Sequence, residues 1–127
     1  MAKIDDHLEA VRTHLRRVSP TDAARAVERG ALLVDIRPIE IRARDGRIPG
    51  ALVIDRNVLE WRLDPTSPDR VADIETADQV VILLCDEGYA SSIAAHSLQE
   101  IGLARATDMI GGFQAWVAAG LPIEESS

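Results

Sequence analysis

A chain of 127 residues is the length of one ordinary domain and can bury a core without help from disulfides or metal. Apolar residues make up 46% and charged residues 28%, and no segment approaches the run of roughly 18 apolar residues that a membrane span needs, so a soluble globular protein is expected. A net charge of -7 sets nucleic acid aside as a partner, while one cysteine and three scattered histidines exclude an internal disulfide framework and offer no zinc-type spacing.

The start alternates charge with isolated apolar residues and has no apolar core followed by small residues, so it does not read as a secretory signal and the cytoplasm is the default location. Ile4, Leu8, Val11 and Leu15 recur at helical spacing, which predicts an amphipathic helix over 1–15, read as a packing appendage on a domain over 16–127. Arg12, Arg16 and Arg17 amount to one short basic patch. Ser19 followed by Pro20 gives an N-cap and a first-turn proline, and Gly30 supplies a left-handed stop, so a second helix should end at Arg29.

Apolar runs at 31–36, 51–54 and 80–84 read as buried parallel strands, with another strand at 107–110. Helices are expected between them at 38–44 and 58–63, at 91–101 closed by Gly102, and at 113–119 closed by Gly120. Alternation of strand and helix with short connections implies an α/β domain, a mainly parallel sheet flanked by helices. Residues 64–78, with Pro65, Ser67 and Pro68 among charges, form the one irregular surface segment, and the terminal Glu-Glu-Ser-Ser is expected to fray. No internal repeat is visible.

In parallel α/β sheets, ligands bind beyond the carboxyl ends of the strands, where loops pass into helix N-termini. Cys85 occupies such a place: it follows the strand VVILL, and Asp86-Glu87-Gly88-Tyr89-Ala90 leads to Ser91-Ser92, where a helix should open. A thiol there faces unpaired backbone N–H groups and the positive end of a helix, both of which favour the nucleophilic thiolate. Gly88 would let the backbone turn tightly with its amides inward. A free cysteine also sits comfortably at the end of a core strand, so placement alone leaves reagent and core filler both open.

Three segments, taken in order, resemble the rhodanese family. VDIRPIEIRARDGRIPGALVI is similar to its strand, Asp-x-Arg and Gly-His-Ile-Pro-Gly-Ala passage, with Arg47 in place of the usual histidine. VILLCDEGYASSIAAHSLQEIG resembles its catalytic strand, Cys-x-x-Gly-x-x-Ser loop and following helix, and MIGGFQAWVAAGLPI resembles its closing Gly-Gly-x-x-x-Trp-x-x-x-Gly-Leu-Pro. The likeness covers residues 17–123 and leaves the amino-terminal helix outside. It implies a five-stranded mainly parallel sheet between helices, a cysteine that accepts sulfane sulfur, and a loop whose amides hold the persulfide. Cys85 then corresponds to the sulfur acceptor, Gly88 to the loop glycine and Ser91 to the residue opening the helix. Asp86 and Ala90 depart from the family pattern, which often has a basic residue and a cation or hydroxyl there; this puts thiosulfate preference in doubt but not persulfide chemistry.

The expected catalytic residue is therefore Cys85, with Asp86, Glu87, Gly88, Tyr89, Ala90 and Ser91 around the substrate. Arg56, just beyond the strand at 51–54, shares the sheet edge with Cys85 and could attract an anion, although a rim arginine can equally be solvated. Tyr89 should wall the pocket mouth or meet a partner. Asp35 and Arg37 read as architecture, with Arg37 pairing to Glu40 on the next turn; Phe113 and Trp116 read as core, and His96 as a surface or half-buried residue. The expected function is transfer of sulfane sulfur from thiosulfate, 3-mercaptopyruvate or a persulfide to a thiol or cyanide, or to a sulfur-carrying protein. No metal and no cofactor is expected. Two rivals stand beside it: a non-catalytic module binding a partner protein through the acidic loop rim, and a phosphatase, which would need an arginine where this chain has Ala90 and Ser91.

Overall fold

The computed structural model describes residues 2–125. In chain order the elements are α1 (Lys3–Arg12), α2 (Pro20–Glu28), β1 (Leu32–Asp35), α3 (Ile39–Asp45), β2 (Leu52–Val53), a 3-10 turn (Arg56–Val58), α4 (Leu59–Leu63), β3 (Val81–Leu84), α5 (Ala90–Glu100), β4 (Ala106–Asp108) and α6 (Gly112–Ala118). The strands form one sheet in the order β2-β1-β3-β4, and every pairing is parallel. The α/β fold with helices flanking a parallel sheet is thus present. Among the described residues the fifth strand is not: beside β4, Val18 makes only an isolated parallel bridge to Met109, because Ser19 and Pro20 turn the chain at once into α2.

Side chains alternate across each strand, so the sheet has two buried faces. Leu33, Ile82 and Leu84 face Ala23 of α2 and Phe113 and Trp116 of α6. Val34, Val81 and Leu83 face the other way, with Leu59 and Leu63 of α4 and Ala94, Ala95 and Leu98 of α5. Cys85 belongs to this second face. Val71 and Ile74 are buried there too, so residues 64–78 contribute to the core although they hold no regular element.

Local chemistry sets the ends. Ser19 Oγ accepts from the Asp22 amide at 3.1 Å and caps α2. Helix α1 ends three residues before Leu15, burying Leu8 and Val11 against α5 while Ile4 stays exposed. At the carboxyl end, Arg47 and Glu124 pair as an isolated antiparallel bridge with a side-chain contact of 2.9 Å, so Glu124 is held where fraying was expected; Ser126 and Ser127 lie outside the described residues. No helix among the described residues is long and apolar enough to cross a membrane.

Candidate active site

Strand β3 is apolar on both faces because it lies in the middle of the sheet, and Cys85 is the first residue past its end. The chain cannot continue as a strand there. Gly88, at φ 88°, turns it back, and a Cβ at that position would sit 2.7 Å from the Gly111 nitrogen, so only glycine fits. Gly112 is required for the same reason, since its Cβ would lie 2.7 Å from the Asp86 carbonyl carbon. The close approach lets the first amides of α6 hold the loop: Phe113 N–H donates to Cys85 O at 2.9 Å and Gln114 N–H to Asp86 O at 3.1 Å. Two loops are thereby fastened to each other at the Gly111-Gly112 pair.

Within this frame the Cys85 sulfur is 8% exposed as a residue and receives two backbone N–H groups, from Gly88 at 3.2 Å and from Ser91 at 3.4 Å. Its thiol also lies 3.3 Å from Ser91 Oγ. Ser91 is the second residue of α5, not the opener; the helix begins at Ala90, and the Ser91 hydroxyl donates to Asp108 Oδ2 at 2.7 Å instead of capping. Ser92 Oγ donates to the same oxygen at 2.8 Å. Asp108 is fully buried and is balanced by Arg17, whose Nε lies 2.9 Å from Oδ1. A buried carboxylate survives only when paired and hydrogen-bonded, and here both conditions hold.

The sulfur opens onto a cavity of about 410 Å³ lined by Ile36, Arg37, Pro38, Arg56, Cys85, Asp86, Glu87, Tyr89 and Ala90. Of the residues expected around the substrate, Arg56, Asp86, Glu87, Tyr89 and Ala90 line this cavity, whereas Gly88 and Ser91 do not and reach the sulfur through their amides. Tyr89 is 60% exposed at the rim. Both cations of the lining have a carboxylate partner, while Arg37 Nη1 is buried and makes no hydrogen bond. Arg37 is buried and forms a fork with Asp35, Nη2 to Oδ2 at 2.8 Å, donates to Gly46 O and stacks 3.8 Å over the Phe113 ring. The expected Arg37–Glu40 pair does not form, because Asp35 offers a dry partner two residues away while Glu40 is exposed. Arg56 Nη1 binds the Glu60 carboxylate at 2.9 and 3.0 Å. Burial raises the Glu60 carboxyl, but hydrogen bonds from Ser97 Oγ, its own backbone and Arg56 outweigh that and hold it below its usual range.

Asp86 and Glu87 stay uncompensated by any cation of the lining. Asp86 accepts from Gln114 Nε2 at 3.0 Å, which turns its carboxylate along the rim, and Glu87 is exposed. His96 is half-buried with Nδ1 at 3.4 Å from Glu100. Sequence reasoning missed Asp108, Arg12 and Arg17. Arg12 Nη2 and Arg17 Nη2 both donate to Gly88 O, at 2.8 and 3.0 Å.

A sequence model described as the rhodanese-like domain matches residues 19–119. The chain is 31% identical over 110 residues to the thiosulfate sulfurtransferase GlpE of Haemophilus influenzae, covering 86% of this chain and 94% of that protein. It is 37% identical over 93 residues to a sulfurtransferase of Allochromatium vinosum, covering 72% and 77%. Among solved structures, a Rhodopseudomonas palustris protein of unknown function, described as a possible tyrosine phosphatase, superposes with a TM-score of 0.86 at 32% identity over 95% of this chain and 93% of that one.

Proposed function

The chain belongs to the rhodanese-like domain family, and from that premise we propose that it is a sulfurtransferase carrying sulfane sulfur on Cys85. The observation that carries the reading is the pair of amide N–H groups, from Gly88 and Ser91, aimed at the one thiol at the mouth of a cavity. Amides fixed in this way favour an anion on sulfur, whether thiolate or persulfide, without any rearrangement during the reaction.

In the loading step the Cys85 thiolate attacks the sulfane sulfur of a donor X–S. A sulfur–sulfur bond forms, the X–S bond breaks with its electron pair and the negative charge leaving on X, and the outer sulfur of the persulfide keeps the charge it carried as the terminal sulfur of the donor. In the second step an acceptor thiolate or cyanide attacks that outer sulfur, and the electron pair of the S–S bond returns to Cys85. Two half-reactions through a covalent nucleophile need no metal or organic cofactor. Thiosulfate, 3-mercaptopyruvate and small persulfides are the candidate donors, a thiol or cyanide the acceptor, and a sulfur-carrying protein is compatible with the open rim.

With both lining cations paired to carboxylates, and Asp86 and Glu87 without a cation of the lining beside them, the mouth favours a neutral or zwitterionic donor over thiosulfate. Its apolar wall of Ile36, Pro38, Tyr89 and Ala90 suits an organic persulfide. We assign residues 16–127 to the transferase domain and 1–15 to an amino-terminal amphipathic helix packed on it. A phosphatase would need a guanidinium among the amides of the loop; Ser91 stands there, and Arg12 and Arg17 contact the loop from behind, at the Gly88 carbonyl.

Steady-state sulfur transfer to cyanide, measured with each donor for the wild type and Cys85→Ser, tests the reading. Loss of all transfer in Cys85→Ser with an unchanged circular dichroism spectrum is expected. Turnover of an aryl phosphate that disappears in Cys85→Ser, without sulfur transfer, would favour the phosphatase instead.

A further inference from the structure

We infer that Arg12 and Arg17 are positioning residues of the sulfur-holding loop, so that the segment preceding the family-matched residues 19–119 belongs to the active site. The inference rests on the proposed sulfurtransferase reading for its purpose, though its geometry stands on its own. Arg12 is in the last turn of α1, directly after Val11, whose burial against α5 fixes the helix in place. Arg17 lies in the link between α1 and α2.

Two guanidinium groups converge on a single backbone carbonyl, that of Gly88. Gathering like charges at one point costs free energy, and the structure offsets it on each side. Arg17 pairs with the buried Asp108, while Arg12 donates Nε–H to Ser92 Oγ at 3.1 Å and lies 5.8 Å over the Tyr89 ring. Such an arrangement is not needed to close the sheet or cover the core. Its contacts fall on Gly88, Tyr89, Ser92 and Asp108.

The consequence follows from the planarity of the peptide group. In a trans peptide the N–H points opposite to the C=O, so a Gly88 carbonyl drawn toward the arginines directs the Tyr89 N–H away from them, to the other side of the loop. That amide is engaged by no acceptor among the described residues, which leaves it for the outer sulfur of a persulfide. The same pull fixes the plane whose preceding amide, Gly88 N–H, already donates to Cys85 Sγ. Arg17 acts by a second route as well, because Asp108 takes the hydroxyl hydrogen of Ser91 and thereby holds the residue whose amide is the other donor to the sulfur.

The fork of arginine matters here, since Arg12 spans Ser92 Oγ and Gly88 O with two different nitrogens and a lysine could reach only one. The test uses the full chain with Arg12→Gln, Arg12→Lys and Arg17→Lys. Three quantities are read: kcat and KM for transfer from glutathione persulfide to cyanide, the rate of Cys85 alkylation by iodoacetamide at fixed pH, and Tm. Loss of one charge-assisted contact to the loop is expected to lower kcat and the alkylation rate roughly tenfold in each variant, with KM within about twofold of wild type. Arg12→Lys should behave like Arg12→Gln. Because Arg17 balances a buried carboxylate, Arg17→Lys could unfold; Arg12→Gln, at a half-buried position, then decides the matter. The inference is overturned by wild-type kcat and alkylation in folded Arg12→Gln, by a rise in KM with kcat unchanged, or by full recovery in Arg12→Lys. Alkylation does not depend on sulfur transfer, so a wild type that loads no sulfur would remove the transferase reading while the alkylation rates still judge the arginines.

Discussion

Ser91 and Asp108, seventeen residues apart in the chain, share a buried hydrogen bond of 2.7 Å directly behind the Cys85 thiol. The serine gives its hydrogen to the carboxylate and presents its amide to the sulfur. Asp108 thus sets the orientation of a residue it does not need for packing. Asp108→Asn should keep the shape but lose the ion pair with Arg17, at a cost of about 3 kcal/mol, the lower range for breaking a buried pair. A drop in the denaturation midpoint at unchanged m-value, together with a slower sulfur-loading step, is the expected result. Equal stability of the two proteins would show that the carboxylate charge is idle.

Gly88→Ala tests the turn. The added methyl group meets the Gly111 nitrogen at 2.7 Å and the residue must hold φ 88°, so strain of about 1–3 kcal/mol is expected from the backbone conformation alone, with the clash added to it. Displacement of the Gly88 amide should remove one donor to the sulfur. Sulfur loading should therefore fall by more than the stability loss accounts for, which a loading assay run well below Tm would reveal.

The acidity of the rim bears on donor choice. A like charge about 4 Å from a bound anion costs roughly 1 kcal/mol in water and about 4 kcal/mol at intermediate dielectric, and Asp86 is half-buried while Glu87 is exposed. Asp86→Arg should raise kcat/KM for thiosulfate about tenfold at low salt and Glu87→Gln by less, both gains shrinking as salt is added. Thiosulfate kinetics over a salt series check this. A flat response in both variants would mean that the loop acids serve something other than donor selection.

Glu60 gives a pH dependence with a definite sign. Its carboxyl is held below the usual value of 4.5: burial opposes this, while bonds from Ser97, its own backbone and Arg56 prevail. A carboxyl depressed in the folded state adds stability that is complete above its unfolded value and is lost as pH falls through the folded one. The Tm advantage of wild type over Glu60→Gln should thus be full near neutrality and should shrink once the pH drops below 4.5. An advantage that persists undiminished far into acid would contradict the assignment.

Much of this arrangement is legible in the sequence because it is local. Val81–Leu84 is apolar throughout, so a central strand follows, and the cysteine at its end beside Gly88 and a helix start stands out as a candidate by position, with the family resemblance favouring reagent over core filler. Arg56 falls at the same mouth because it follows β2 on the same edge of a parallel sheet. What periodicity does not convey are partners remote in sequence. Arg17 and Asp108 are 91 residues apart, and each looked unremarkable alone, one in a basic patch and one in an edge strand. Asp108 did carry a clue, since an acid inside the short strand Ala106–Asp108 must be solvated or paired, and it is buried. Arg37 was given the wrong acid because helical spacing favoured Glu40, whereas burial beside Asp35 decides the pairing. The missing fifth strand reflects Pro20, which commits the chain to α2 just after Val18.

In the proposed reaction Cys85 itself carries the sulfur. Intact mass spectrometry of the wild type and Cys85→Ser after brief exposure to glutathione persulfide or thiosulfate, with excess donor removed, measures this directly. Wild type is expected to gain the mass of one sulfur atom and to lose it to cyanide, and Cys85→Ser to gain nothing. A wild type that stays unmodified with every donor, or a cyanide-labile sulfur retained in Cys85→Ser, would contradict Cys85 as the carrier.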